Sequence, residues 1–96
     1  MNRTTYRVRI PDDVVSLIRG LHPHIKKKVR QAFDAICTDP LSGKALKDEL
    51  VGLMSYRIGR FRVIYRIGKG KIIEIIAVGP RKRIYEETFR IISKEP

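Results

Sequence analysis

Apolar and polar residues alternate at the start of the chain. Within residues 5–10 the apolar side chains occupy every second position, from Tyr6 to Ile10, with Thr5 and two arginines as the polar positions. A period of two is typical of a strand that is buried on one face only. The pattern therefore predicts a first strand over residues 5–10.

The following segment has the period of an α-helix, interrupted once. Apolar residues recur at helical spacing from Val14 to Leu21 and again from Ile25 to Ile36, which predicts two amphipathic helices. Pro11 and the two aspartates after it open the first helix, because acidic side chains favour the positive end of the helix dipole. A glycine and a proline separate the helices, and Asp39–Pro40 ends the second.

Residues 40–52 contain Pro, Gly and Ser with few apolar positions, so they predict a surface connection with one helical turn. Three further strands are predicted, at residues 54–58, 61–67 and 71–78. Gly59 and the pair Gly68 and Gly70 would permit the positive φ that tight hairpin turns require. Residues 84–93 return to helical spacing.

The predicted order is β-α-α-β-β-β-α, in a single domain that covers residues 1–96. We expect an α+β fold in which a mainly antiparallel four-stranded sheet is packed by the two N-terminal helices. On the middle strand of the C-terminal half, two sets of side chains should face opposite sides of the sheet, with the arginines on a polar face. These sets are Phe61, Val63, Tyr65 and Ile67 on one side, and Arg62, Ile64 and Arg66 on the other.

Charge points to a polyanionic partner. Twenty-one basic and ten acidic residues give a net charge of +11, which favours nucleic acid as the partner class. The single cysteine, Cys37, cannot form an intrachain disulfide, and no apolar run is long enough to cross a bilayer. We therefore expect a cytoplasmic protein without a membrane partner.

Residues 56–85 hold nine Lys or Arg and only one acid, Glu74. If the hairpin pairs as predicted, Arg57 and Arg62 lie on neighbouring strands near one turn, and Arg81 follows the last strand. Tyr85 lies one helical turn later if a helix begins there. Arginines grip phosphate through bidentate hydrogen bonds and stabilise a phosphorane, while Tyr85 could accept a proton or stack on a base.

The rest of the sequence lacks other catalytic signatures. It has no Walker-type phosphate loop, no Cys/His cluster with zinc spacing and no paired-carboxylate motif. We therefore expect neither a metal nor a cofactor.

Two segments carry a resemblance to a known family. RIGRFRVIY, residues 57–65, and VGPRKRIY, residues 78–85, resemble the paired motifs of the RelE/ParE superfamily of type II toxins. The resemblance implies a toxin that cleaves mRNA in the ribosomal A site by attack of a ribose 2′-hydroxyl on the adjacent phosphate. It also implies a cognate antitoxin as partner, and a toxin–antitoxin hetero-oligomer that binds operator DNA.

The resemblance assigns catalytic roles residue by residue. Arg57 corresponds to a basic position before the hairpin and Arg62 to a strand arginine that contacts phosphate. Arg81 corresponds to the arginine that stabilises or protonates the leaving group, and Tyr85 to the tyrosine that orients or stacks on the nucleotide. Further RNA-binding positions are expected at Lys47, Arg60, Arg66, Lys82 and Arg83.

The sequence departs from the family pattern at two places. Many relatives have histidine where this chain has Pro80, and RelE-type enzymes carry two lysines on the strand before the hairpin. Here that strand offers Arg57 but no lysine, and Lys47 lies upstream of it, which leaves the general base unassigned. Two alternatives stay open: a ParE-type inhibitor of DNA gyrase with the same fold, and a basic RNA-binding module without catalysis.

Overall fold

The computed structural model describes residues 6–95. Its elements are β1 (Arg7–Arg9), α1 (Asp12–Arg19), α2 (Pro23–Thr38), β2 (Lys44–Ala45), a 3₁₀ turn (Asp48–Leu50), β3 (Met54–Ile58), β4 (Phe61–Gly68), β5 (Ile72–Pro80) and α3 (Arg81–Ser93). The strands form one sheet in the order β1-β5-β4-β3-β2, and only the β1–β5 pair is parallel. The predicted α+β class is confirmed. Thr5, placed in the first strand by the sequence, lies outside the described residues.

The prediction of four strands was wrong, because β2 adds a fifth at the edge of the sheet. Lys44 and Ala45 pair antiparallel with Ser55 and Met54 of β3. A strand of two residues is too short to show a period along the sequence, so only its pairing with β3 reveals it.

One face of the sheet packs against α1 and α2. The side chains of this core include Val29 and Ile36 from α2 and Val63 and Tyr65 from β4, all fully buried or nearly so. As predicted, Phe61, Val63 and Tyr65 share this side of β4. The two N-terminal helices therefore supply the main core.

The opposite face is not the polar surface that the sequence suggested, since α3 covers it with a second core. Ile64 of β4 and Ile84 of α3 are fully buried there. β5 contributes two consecutive side chains, Ile76 and Ala77, because a bulge shifts its register against β4. Alternation along β4 located Ile64 correctly, but it gave no sign of the helix that packs on it.

Arg66 fixes the C-terminal end of α3 to the sheet. Its Nε donates to Glu74 Oε1 of β5 at 2.8 Å, and its two terminal nitrogens donate to the carboxylate of Glu95, just past α3, at 3.0 and 2.9 Å. The hydrogen bond from Arg66 lowers the pKa of Glu95. Arg66 therefore bridges two carboxylates from different elements.

A buried tyrosine holds the connection before β2. Tyr65 is fully buried, and its hydroxyl donates to the carbonyl of Pro40 at 2.6 Å while accepting from the backbone N–H of Gly43 at 3.1 Å. A Cβ on residue 43 would lie 2.6 Å from that hydroxyl and 3.0 Å from the carbonyl oxygen of Ser55. Gly43 is thus required by close packing.

Within residues 6–95 no helix combines the length and the apolar character that crossing a membrane would require.

Gly43→Ala should destabilise the protein by about 1–3 kcal/mol, because the new methyl group overlaps a hydroxyl held on both sides. Chemical denaturation measures the change. Gly20→Ala is the matched control: Gly20 has a φ of −84°, and its added Cβ would meet nothing nearer than 3.6 Å. We expect the control to be neutral or slightly stabilising, and equal effects at the two glycines would contradict the packing argument.

Glu95→Gln should lower the free energy of unfolding by about 0.5 kcal/mol near neutral pH, a small value because the ion pair is solvent-exposed. Since folding lowers the pKa of Glu95, its contribution is complete above the ordinary value of 4.5 and is lost as the pH falls through the folded-state value. Urea denaturation from neutral to acidic pH should show the two proteins converging. Glu86→Gln, which makes the same charge change at an exposed position on α3, is the control, and a gap independent of pH for Glu95→Gln would refute this account.

Candidate functional site

A basic groove of about 440 Å³ opens between the β2 segment, β4 and the start of α3. The β2 segment is here residues 40–50, which comprise β2, the residues that lead into it and the 3₁₀ turn. Its walls are formed by Lys44, Ala45, Leu46, Lys47, Asp48, Leu50, Arg62, Arg81 and Tyr85. Four of these side chains are cationic and one is acidic. The groove therefore concentrates positive charge at a concave surface, where a phosphate group would be favoured.

Arg62 lies at the base of the groove and is half-buried. One terminal nitrogen, Nη1, donates to Ser55 Oγ at 3.0 Å. Its Nε is buried and has no hydrogen-bond partner among the described residues. A buried charged donor without an acceptor is costly. An anion bound in the groove would stabilise the charge of this guanidinium group.

Tyr85 projects from the second turn of α3 toward the same arginine. The Cζ atom of Arg62 lies 6.0 Å from the centre of the Tyr85 ring, and the Tyr85 hydroxyl lies 3.5 Å from Ser55 Oγ. Part of the ring stays accessible, because Tyr85 is only partly buried. A nucleotide base could stack on it.

Ser55 joins Arg62 and Tyr85, and the sequence interpretation did not include it. It is buried at 2% exposure and shares a face of β3 with Arg57, two residues later. That spacing was a usable signal, since alternate residues of a strand point to the same side. Serine is common on strands, however, and only the position of α3 shows that its hydroxyl meets two candidate site residues.

Arg81 begins α3, and its backbone N–H donates to the carbonyl of Arg60 at 2.9 Å. No side chain caps this helix, and its first turn holds Arg81, Lys82 and Arg83 but no acid. Cations at a helix N-terminus oppose the helix dipole. The first turn of α3 is therefore less stable than one that carries acids, and it adds positive charge beside the groove.

The other predicted basic residues occupy the margins. Arg57 is the direct cross-strand partner of Arg62, as expected, but it is exposed and its Nε contacts the carbonyl of Gly59 at 3.4 Å. Arg60 lies in the adjacent turn, and Lys82 and Arg83 are exposed on α3. None of these four side chains lines the groove.

Arg66 is placed differently from the other candidates. It lies at the far end of α3, where it bonds to Glu74 and Glu95. Lys47, by contrast, lines the groove together with Lys44, a residue that the sequence did not single out. Lys44 was missed because it lies on β2, the strand that the sequence did not predict.

Within residues 6–95, no three His, Cys, Asp or Glu side chains lie close enough to hold a metal ion.

Comparison with protein families gives a match over most of the chain. The family model described as the ParE toxin of the type II toxin–antitoxin system parDE matches residues 5–85. No curated protein sequence matches the chain.

Solved structures are also similar over most of the chain. A chain of the RelBE2 toxin–antitoxin complex of Mycobacterium tuberculosis is 33% identical, over 81% of this chain and 100% of that one, with a TM-score of 0.72. A chain of the archaeal RelE–RelB complex of Pyrococcus horikoshii is 31% identical, over 83% and 99% of the two chains, with a TM-score of 0.70. A mutant of the Escherichia coli toxin RelE in the free state gives a TM-score of 0.75 over 95% and 97%, but at 14% identity this is a likeness of fold alone.

The family match spans most of the 96 residues, and two solved relatives exceed 30% identity over most of the chain. The chain belongs to the RelE/ParE superfamily and is a toxin of a type II toxin–antitoxin system.

Proposed function

We propose that this toxin is a ribosome-dependent endoribonuclease that cleaves mRNA in the A site and thereby inhibits translation. The observation that carries the proposal is the convergence of Arg62, Arg81 and Tyr85 on one groove, with the buried Nε of Arg62 unpaired among the described residues. Dependence on the ribosome, and action in the cytoplasm, rest on the resemblance to RelE-type toxins.

The charge distribution suits phosphoryl transfer within RNA. As the O2′–phosphorus bond forms and the phosphorus–O5′ bond breaks, negative charge grows on the phosphorane oxygens. Arg62 and Arg81 can stabilise that charge through charge-assisted hydrogen bonds. The nucleophile belongs to the RNA itself, so the protein must mainly hold the phosphate and move protons.

Removal of the 2′-hydroxyl proton falls to a residue other than arginine, which stays protonated. Lys47 and Tyr85 line the groove and are the candidates for this step. The departing 5′-oxygen takes its proton from water or from Arg81, which is proposed to stabilise or protonate the leaving group. Tyr85 would also hold the base by stacking.

A cognate antitoxin is part of the proposal. The M. tuberculosis and P. horikoshii relatives were solved as toxin–antitoxin complexes, and a net charge of +11 favours an acidic partner. An acidic or amphipathic helical segment would cover the basic surface or take the place of α3 against the sheet. The resulting hetero-oligomer would bind operator DNA.

Inhibition of DNA gyrase is the second candidate, and the match to the ParE toxin model favours it specifically. One fold can carry both activities, so the fold does not choose between them. Binding to gyrase would not need the convergence of Arg62, Arg81 and Tyr85, and this is why nuclease activity is preferred.

Induced expression of the wild-type toxin in a bacterial host should stop protein synthesis and create new 5′ ends inside translated codons of an abundant transcript. The double variant Arg81→Ala/Tyr85→Ala should lose both effects, because removing groups that stabilise a transition state costs about 10²–10³-fold in rate. Pulse labelling and primer extension give the two measurements. Arg90→Ala, an exposed charge removal on the same helix, is the control and should remain toxic.

Two results would contradict this proposal. Cleavage that persists at full rate in the double variant would show that the groove is not the active site. Continued translation with stalled DNA synthesis would instead establish gyrase as the target.

Co-expression with the small open reading frame next to the toxin gene should restore growth and yield a complex that purifies as one species. Raising the salt concentration should weaken the complex, since screening reduces attraction between opposite charges. Absence of both rescue and complex would contradict the proposed antitoxin.

A further inference from the structure

An exposed strand of two residues is held in place by groups from the protein interior. Both residues of β2, Lys44 and Ala45, are exposed. The hydroxyl of the fully buried Tyr65 nevertheless fixes the backbone on the N-terminal side of β2 at two points, the Pro40 carbonyl and the Gly43 N–H. A side chain at position 43 is excluded as well, because a Cβ there would lie 3.0 Å from the Ser55 carbonyl oxygen.

This arrangement exceeds what an ordinary surface connection requires. A loop backbone can obtain its hydrogen bonds from water, and burying a tyrosine hydroxyl is costly unless both of its bonds are well made. The Tyr65 hydroxyl makes both, to residues 40–43, whose one large apolar side chain, Leu41, stays exposed. The two hydrogen bonds of the Tyr65 hydroxyl are therefore best explained by the residue that directly follows Gly43.

That residue is Lys44. It is the direct antiparallel partner of Ser55, and opposite residues of such a pair project from the same face of the sheet. Ser55 is the residue whose hydroxyl binds Arg62 and lies near the Tyr85 hydroxyl. Lys44 accordingly forms the groove wall across from these two side chains.

The position is electrostatically unfavourable without an anion. Lys44 adds a fourth cation to a groove that already holds Lys47, Arg62 and Arg81, against the single acid Asp48. Like charges gathered in one cleft repel each other. None of the ion pairs among the described residues involves Lys44, so no direct ion pair offsets that repulsion.

We infer that Lys44 is a further phosphate-binding residue of the groove, and that Tyr65 and Gly43 position it through the backbone of the β2 segment. The inference rests on the proposed function, because its ligand is the phosphodiester of a single-stranded RNA. Lys44 supplies a lysine to the groove from β2, whereas β3 has none. Its ammonium group acts there as a mobile point charge beside the fixed forks of Arg62 and Arg81.

The first test measures affinity without chemistry. The probe is a short single-stranded RNA in which each ribose carries a 2′-O-methyl group, so the nucleophile is blocked and the strand stays intact. Isothermal titration calorimetry at several salt concentrations should show Lys44→Ala binding about 3–10-fold more weakly than wild type. Its dependence of log affinity on log salt should be less steep by about 0.7, the value expected for one lost phosphate contact on a single strand.

Lys69→Ala is the matched control. Lys69 is an exposed lysine in the turn between β4 and β5 and is not part of the groove. Its removal makes the same change in net charge, so it corrects for long-range attraction. Lys44→Arg, which keeps the charge, should retain most of the affinity.

The second test addresses positioning. Tyr65→Phe keeps the buried ring and removes only the hydroxyl that holds Pro40 and Gly43. It should weaken binding of the same probe about as much as Lys44→Ala, and the double variant should bind no more weakly than either single variant. Circular dichroism confirms that each variant is folded.

The outcomes separate this inference from the nuclease proposal. Equal affinity of wild type and Lys44→Ala, or no measurable binding by wild type, overturns the role of Lys44. Losses that multiply in the double variant overturn the positioning role of Tyr65, because it would then act independently of Lys44. Binding that depends on Lys44 in a toxin that leaves mRNA intact upholds Lys44 and rejects the nuclease.

Discussion

The pairing of β4 with β5, buried on both faces, fixes the side of the sheet on which Arg62 lies and the point at which α3 begins. Eight residue pairs join the two strands, with α1 and α2 packed on one face and α3 on the other. Because side chains alternate along a strand, a slip of one residue would exchange Tyr65 and Arg62 between the two faces. Two cores and the bulge at Ile76 and Ala77 fix the register against that exchange.

The same strand places two arginines at opposite ends of α3, and their surroundings give them different roles. Arg66 bonds to two carboxylates, from β5 and from the end of α3, so its charge is neutralised and it holds the helix to the sheet. Arg62 bonds to a serine hydroxyl and keeps a buried N–H without a partner among the described residues. Two arginines of one strand therefore have different roles. Arg66, bonded to carboxylates, anchors α3, whereas Arg62, bonded to no carboxylate, lines the groove.

Stability and function conflict at the start of α3. Three cations occupy a helix turn that would be more stable with acids, and no side chain caps it. Packing of α3 on the sheet offsets this loss of helix stability, because Ile84 and Thr88 of α3 are both fully buried. Apolar packing thus holds in place a charge arrangement that helix energetics alone would disfavour. Because one fold can carry different activities, the residues of this groove, and not the fold, are the place to test function.

The sequence by itself determined the helices, the three long strands and the residues of the two motifs, because periodicity and turn glycines are local properties. It also brought Arg62, Arg81 and Tyr85 together correctly, since a hairpin and one helical turn connect them over a short stretch of chain. It could not show β2, the second core under α3 or the bonding of Arg66 to Glu95, because each depends on contacts between segments far apart in the chain. Only the tertiary structure places Lys44 in the groove and Ser55 against Arg62 and Tyr85, because a buried tyrosine and a sheet edge bring them to the same face.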